Sequence, residues 1–325
     1  MKFSFTDEQD MFRDTVRELF ADLCPPEAVR ASWENDDGRV PGLWSALAEM
    51  GVLAVLAPES AGGLGMNEVD LVRILEEAGY AGVPEPLMEH AAVAVPALAE
   101  AGHGALDAAV AGESTITLGL HGDVVVARGA DAVVAGADDG LRLVTDWTAT
   151  EASSIDQSRR LGVLGDIAVS DALAGADAAL AFDRAVLGTA AQAIGVARRL
   201  LDATVEYVAE RHQFGKPVGS YQAVKHHLSD VKIAVDFAAP LVYRAAWSVA
   251  HEDDPVTRGR DVSMAKAQAS DAVDLAARKA LQCHGAIGYT FEYDLQLWLK
   301  RAWALAAAYG DVRFHRDRVA AAIGI

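Results

Sequence analysis

Four long Ala-rich stretches dominate the second half of the chain, near residues 178–211, 220–250, 258–284 and 294–322. In each, apolar side chains recur at i, i+3 and i+4, which lays them along one stripe of a helix. Long helices that follow one another and each carry such a stripe bury it best against one another, so this half reads as a helical bundle. Few other folds accommodate such a run.

The first third is also helical, in shorter pieces. Thr6 followed by Gln9 has the form of a capping box, and Phe12, Val16, Leu19 and Phe20 then recur at helical spacing. Leu43, Trp44, Leu47 and Met50 form another apolar face, closed by Gly51. APESAGGLGM (57–66) is loop chemistry. Its GGLG lacks the GxGxxG spacing and the preceding strand of a dinucleotide fingerprint. A further helix starts at Asn67 and is broken by Pro84 and Pro86. Between about residues 112 and 172 the period changes. TITLGL (115–120), DVVVAR (123–128), DAVVAG (131–136) and LRLVTDW (141–147) are short, β-branched and separated by Gly and Asp, as strands with tight turns are. The boundaries expected are 1–111 helical, 112–172 a small β domain and 173–325 the bundle.

A net charge of −19 argues against a nucleic-acid partner, which needs clustered Lys and Arg. Cys24 and Cys283 offer neither a disulfide framework nor a CxxC metal pair. His226, His227 and His284 show no metal-ligand spacing with a carboxylate. MKFSFTDEQDMFRD has no apolar signal core, and no uninterrupted apolar run is long enough to span a bilayer. A cytoplasmic protein is expected.

The connection RHQFGKPVGSYQAVKHHLSD (211–230) carries more than a turn needs. Gly or Pro suffices to reverse a chain. Here Arg211, Gln213, Phe214 and Lys216 are added, and Gln222 stands at the next helix start. This stretch resembles the signature loop and helix of the acyl-CoA dehydrogenase family. LQCHGAIGYTFEYDLQLWLKRA (281–302) resembles that family's second C-terminal signature, WSALAEMGVLAVLAPESAGGLGMNEVDLVRILEEAGY (44–80) its N-terminal helical domain, and RRLGVLGD (159–166) the end of its β domain. The motifs occur in the family's order over nearly the whole chain.

The resemblance implies a mainly α fold with a small β domain: an N-terminal helical domain, a reduced middle β domain and a C-terminal four-helix bundle. It implies FAD, tetramers, oxidation of an acyl-CoA thioester to the 2,3-enoyl-CoA, and electron transfer to an electron-transfer flavoprotein. In that family the Arg loop and the Gln-His-Gly segment contact the ADP half of FAD held by a neighbouring subunit. Carried over, Arg211 faces the pyrophosphate, which suits a planar cation. Gln213 and Phe214 line the same place, and Gln222 lies at a helix N-terminus. Gln282, Gly285 and Ala286 approach the adenosine, with Ala286 standing where the family usually has Gly.

Two departures stand beside these matches. The β region is about half the family's usual length, and the Thr-Glu-Pro and Gly-Ser-Asp type segment that binds the flavin ring is missing; TITLGLHGDVVV is nearest. The family's catalytic Glu falls on Gly310, and the alternative position used by some members falls on Ala185. Asp311 and Asp183 are the neighbouring acids; each otherwise reads as a solvated acid on an acidic protein. The expectation is a subunit without its own catalytic carboxylate. It would supply FAD contacts across the interface of a heterotetramer to a full-length homologue, as in steroid side-chain degradation. An active homotetramer using Asp183 or Asp311 as base, and a flavin-free scaffold, are the alternatives.

Overall fold

The computed structural model describes residues 4–120, 124–126 and 129–325. The N-terminal part holds α1 (Asp7–Leu23), α2 (Pro26–Ser32), α3 (Leu43–Glu49), α4 (Glu68–Ala81), α5 (Val95–Glu100) and α6 (Leu106–Val110), with a π-helical turn at Met88–Ala94 leading into α5. The Thr6–Gln9 capping box starts α1, and Asn67 with Asp70 forms a second one at α4. Gly82, left-handed at φ +73°, ends α4 two residues before the prolines reach the chain.

The strands are β1 (Ile116–Gly119), β2 (Val124–Val126), β3 (Ala132–Ala137), β4 (Gly140–Glu151) and β5 (Leu161–Ala172). They form one sheet in the order β1-β3-β4-β5-β2; only β1 and β3 run parallel. The β4–β5 hairpin is longer than LRLVTDW and RRLGVLGD indicate, and bulges between Val144 and Ala149 twist it. Ile116, Leu118, Val134, Leu141 and Leu143 join the main core beneath the helices. The buried His90 ring links the layers. Its Nδ1 accepts from the Ile116 amide (3.1 Å), so Nε2–H donates to the Ala109 carbonyl (3.0 Å). Burial pushes its pKa down to about 4 and keeps it neutral.

The bundle comprises α7 (Ala178–Glu210), α8 (Gln222–His251), α9 (Pro255–His284) and α10 (Leu295–Ala307), with α11 (Val312–Ala322) packed on α9. The stretch 294–322 is thus two helices. Tyr309 (φ +54°) and Gly310 (φ +104°) break it, although the apolar pattern runs through. α4 crosses α7 backbone to backbone. A Cβ on Gly195 would stand 1.8 Å from the Glu76 carbonyl oxygen, and one on Gly79 2.1 Å from that of Gln192. Length and composition alone would suit α8 to a membrane. It instead packs Val231, Val235, Ala238, Val242 and Val249 into the bundle.

Candidate functional site

α7 runs along the bundle, α8 returns and α9 runs back. The end of α7, the start of α8 and the end of α9 therefore share one end of the bundle. Side-chain contacts join them there. The Tyr207 ring stacks on His284 with centroids 4.2 Å apart. Lys279 Nζ lies 2.9 Å from His227 Nδ1, which must be the acceptor.

Arg211 caps α7 in extended conformation, and its amide donates to the Tyr207 carbonyl (2.9 Å). The connection to α8 is a small hairpin, His212–Gln213 paired with Lys216–Pro217, rather than a plain loop. Its two central residues, Phe214 (φ 52°) and Gly215 (φ 83°), are both left-handed, as a type I′ turn requires. Glycine adopts this freely; phenylalanine does so at a cost, and Phe214 is nevertheless 92% exposed. The Arg211 guanidinium meets no carboxylate within 4.0 Å and no hydrogen-bond acceptor among the described residues. Gln222 opens α8 and is exposed, with its amide nitrogen 3.0 Å from His226 Nε2.

At the end of α9, Gln282, Gly285 and Ala286 are exposed. Gly285 (φ 63°, ψ −140°) takes a backbone conformation reserved for glycine, with open space where a Cβ would stand. His284, weighed in the sequence only as a metal ligand, is buried. Its Nδ1–H donates to the Ala280 carbonyl (2.8 Å), leaving Nε2 an acceptor with no partner. Burial lowers its pKa, so the ring is neutral. The predicted residues thus lie together on three segments. A guanidinium without a partner, exposed amides, an open glycine and an orphaned acceptor suit the phosphate and sugar half of a dinucleotide.

The second region is the turn between α10 and α11. Gly310 is buried under α11, and a Cβ there would lie 2.4 Å from Phe314 Cδ1 and 2.9 Å from His315 Nε2. Its carbonyl accepts from Lys266 Nζ at 3.2 Å. Lys266, fully buried on α9, also donates to Ser270 Oγ (2.9 Å) and the Ala306 carbonyl (3.1 Å). Three acceptors match the three hydrogens of an ammonium. Burial, with a smaller contribution from Arg159, lowers its pKa to about 7. His315 Nε2 lies 3.1 Å from the Tyr309 carbonyl. Burial, then the charge of Lys266, takes the His315 pKa down to about 4.

Both neighbouring acids have other partners. Asp311 Oδ1 accepts from the Phe314 amide (2.8 Å) as the N-cap of α11, and the residue is exposed on an open groove between α9, α10 and α11. Asp183 is 1% exposed rather than solvated. Arg258 Nε donates to one of its oxygens (2.9 Å) and Arg318 Nη2 to the other (2.7 Å). Ala185 is buried in α7. The cavities lined by Leu71, Leu75 and Ala92 and by Glu85, Pro86 and Glu89 hold about 10 and 20 Å³, less than an acyl chain needs. A larger cleft of about 750 Å³ opens between α2, the connection between β4 and β5 and the loop after α9, with Trp33, Trp147 and Phe291 among its walls. In the nearest counterpart of a flavin-ring segment, β1 is a buried strand, and residues 121–123 lie outside the described part.

Comparison with known proteins places this geometry. The model of the acyl-CoA dehydrogenase N-terminal domain matches residues 6–110, and that of the C-terminal domain matches residues 175–324. Acyl-CoA dehydrogenase IpdE2 of Mycolicibacterium smegmatis is 33% identical, over 98% of this chain and 99% of its own. Among solved structures, the ChsE4-ChsE5 complex from Mycobacterium tuberculosis superposes with a TM-score of 0.89 at 25% identity, covering 100% of this chain and 99% of that one. The Tcur3481-Tcur3483 steroid ACAD gives 0.87 at 25% identity, with 98% of each chain covered.

Proposed function

The chain belongs to the acyl-CoA dehydrogenase family, a family of flavin-dependent oxidoreductases, and from that premise we propose that it is the subunit of a heteromeric enzyme that lacks the catalytic carboxylate. Its partner is a full-length homologue that carries the carboxylate, and the pair oxidises an acyl-CoA thioester to the 2,3-enoyl-CoA. The observation that carries the reading is the turn at Gly310. Where the family places a glutamate, this chain has a buried glycine whose carbonyl is held by a lysine. An α-proton needs an acceptor within hydrogen-bond reach. Asp183 is clamped by two arginines and Asp311 caps a helix.

FAD, when bound, accepts the β-hydrogen as hydride. The work left to this chain is binding. Arg211 places a fixed cation at the pyrophosphate of FAD seated on the partner, where a planar fork meets anionic oxygens. Gln213 and Gln222 add donors beside it. Gln282, Gly285 and Ala286 present amide and backbone to the adenosine, and Phe214 covers the ligand's flank. Assembly with a partner homologue, as a heterotetramer, draws support for the partner from the ChsE4-ChsE5 complex, and a bulky steroid-type thioester from the steroid ACAD. The complex works in the cytoplasm and passes its electrons to an electron-transfer flavoprotein.

The test is co-expression with a full-length homologue, followed by a flavin count and an activity assay. The expected result is a yellow, active complex with fewer flavins than chains, and a colourless chain when expressed alone. A stable yellow homotetramer with one FAD per chain and its own dehydrogenase activity overturns the proposal.

A further inference from the structure

A second, smaller cavity lies away from both regions, where the ends of α1 and α4 meet α7 and α10. It measures about 230 Å³. Its floor and one side are apolar, formed by Phe20, Pro25 and Pro26. The opposite wall is a cation between two aromatic rings. The Arg199 guanidinium lies 4.6 Å from the Trp298 ring centroid and 5.7 Å from that of Tyr80. Trp298 is fixed by donating from Nε1 to the Tyr80 carbonyl (2.9 Å), and Tyr80 by donating from its hydroxyl to Asp202 (3.1 Å).

The charges around this cavity are unevenly matched. Arg17 grips Glu77 with two hydrogen bonds, at 2.9 and 2.7 Å, which neutralises the acid at the mouth. The adjacent Arg198 is paired with Glu76. Arg199 alone of these arginines has no carboxylate within 4.0 Å among the described residues, in a chain with 47 acids and 28 basic residues. The Arg199 guanidinium lies beside the indole and phenol rings and is hydrogen-bonded to Tyr80, and its remaining N–H donors can meet a planar anion. Concave apolar walls with one convergent charged group are the usual composition of a small-ligand site. The volume is below the roughly 300–1,000 Å³ of drug-sized pockets.

We infer that this cavity binds a small monocarboxylate with a compact hydrocarbon body, about the size of phenylacetate, with the carboxylate on Arg199 and the hydrocarbon against Trp298 and Phe20. The site is independent of the flavin contacts and of the Gly310 turn, so it stands whether or not the chain is the non-catalytic subunit.

The probe is phenylacetate, with phenylacetamide as its uncharged analogue, titrated by calorimetry into the full chain in the complex in which it is purified. Wild type should bind phenylacetate and bind the amide at least about tenfold more weakly, as loss of one charge-assisted contact predicts. Arg199→Gln should weaken phenylacetate to the level of the amide. Ala21→Leu, at the exposed rim, should fill the cavity and abolish both while leaving Arg199 in place. Equal binding of acid and amide, unchanged affinity in either variant, or no binding to wild type at millimolar phenylacetate overturns the assignment.

Discussion

Asp183 shows how much a single side chain's surroundings decide. Read from the sequence it is one acid among many; in the fold it is enclosed by Arg258 and Arg318, which lie 75 and 135 positions away. No local pattern reports such a pairing. Asp183→Asn leaves both cations short of a counter-charge. Because Arg318 is partly in water, the loss should be about 2–3 kcal/mol, short of the 3–5 expected of a fully buried pair. Urea denaturation measures it, and activity of the folded complex should be unchanged. Lys266 gives a pH signature. Its pKa is near 7 in the fold, against about 10.4 in the unfolded chain. Between those values the unfolded chain binds the extra proton, so stability rises with pH; below about 7 both states are protonated and the full burial penalty remains. Relative to Lys266→Met, wild type should therefore gain stability as pH rises from 7 towards 10, by at most about 1.4 kcal/mol per unit. A difference that is flat with pH would mean that Lys266 stays charged in the fold.

At the scale of elements, α7, α8 and α9 were legible because their apolar stripes run long enough for the period to be unambiguous. The split between α10 and α11 was not. Ala308 and Tyr309 continue the apolar pattern, and the left-handed pair Tyr309–Gly310 leaves only a single glycine as its mark. The full length of β5 was hidden because its outer half has no buried face; Ile167 and Val169 are exposed alongside Asp166 and Asp171, so alternation carries no signal. The Arg211 hairpin is the element that most directly tests the binding role. Arg211→Ala should remove a charge-assisted contact worth about 1.5–3 kcal/mol, lowering FAD affinity of the complex by about 10- to 150-fold. Arg211→Lys should recover part of it, since a point charge does not reproduce the fork. Flavin fluorescence titration decides, and an unchanged Kd in the alanine variant would make the hairpin a connector only.

For the molecule as a whole, the family signatures could be read in advance, because each rests on residue identity at a fixed spacing. How the chain meets its neighbours could not. Ile233 and Phe237, one helical turn apart on α8, are 56% and 71% exposed, an apolar pair beside the Lys232–Asp236 ion pair that suits contact with another chain. Phe237→Glu should keep the secondary structure by circular dichroism yet prevent co-purification with a full-length partner; an intact complex would show that this face is not the interface. The Gly310 turn, finally, bears on descent. A glutamate introduced there would need a left-handed backbone and would place its first carbon against Phe314 and His315. Restoring the acid therefore takes concerted changes in α11 as well. With that helix packed over the glycine, a single substitution to glutamate is barred. If the chain is the non-catalytic subunit proposed above, this steric ratchet holds the lineage to partnership, and selection on the chain then falls on what it contributes to its partner.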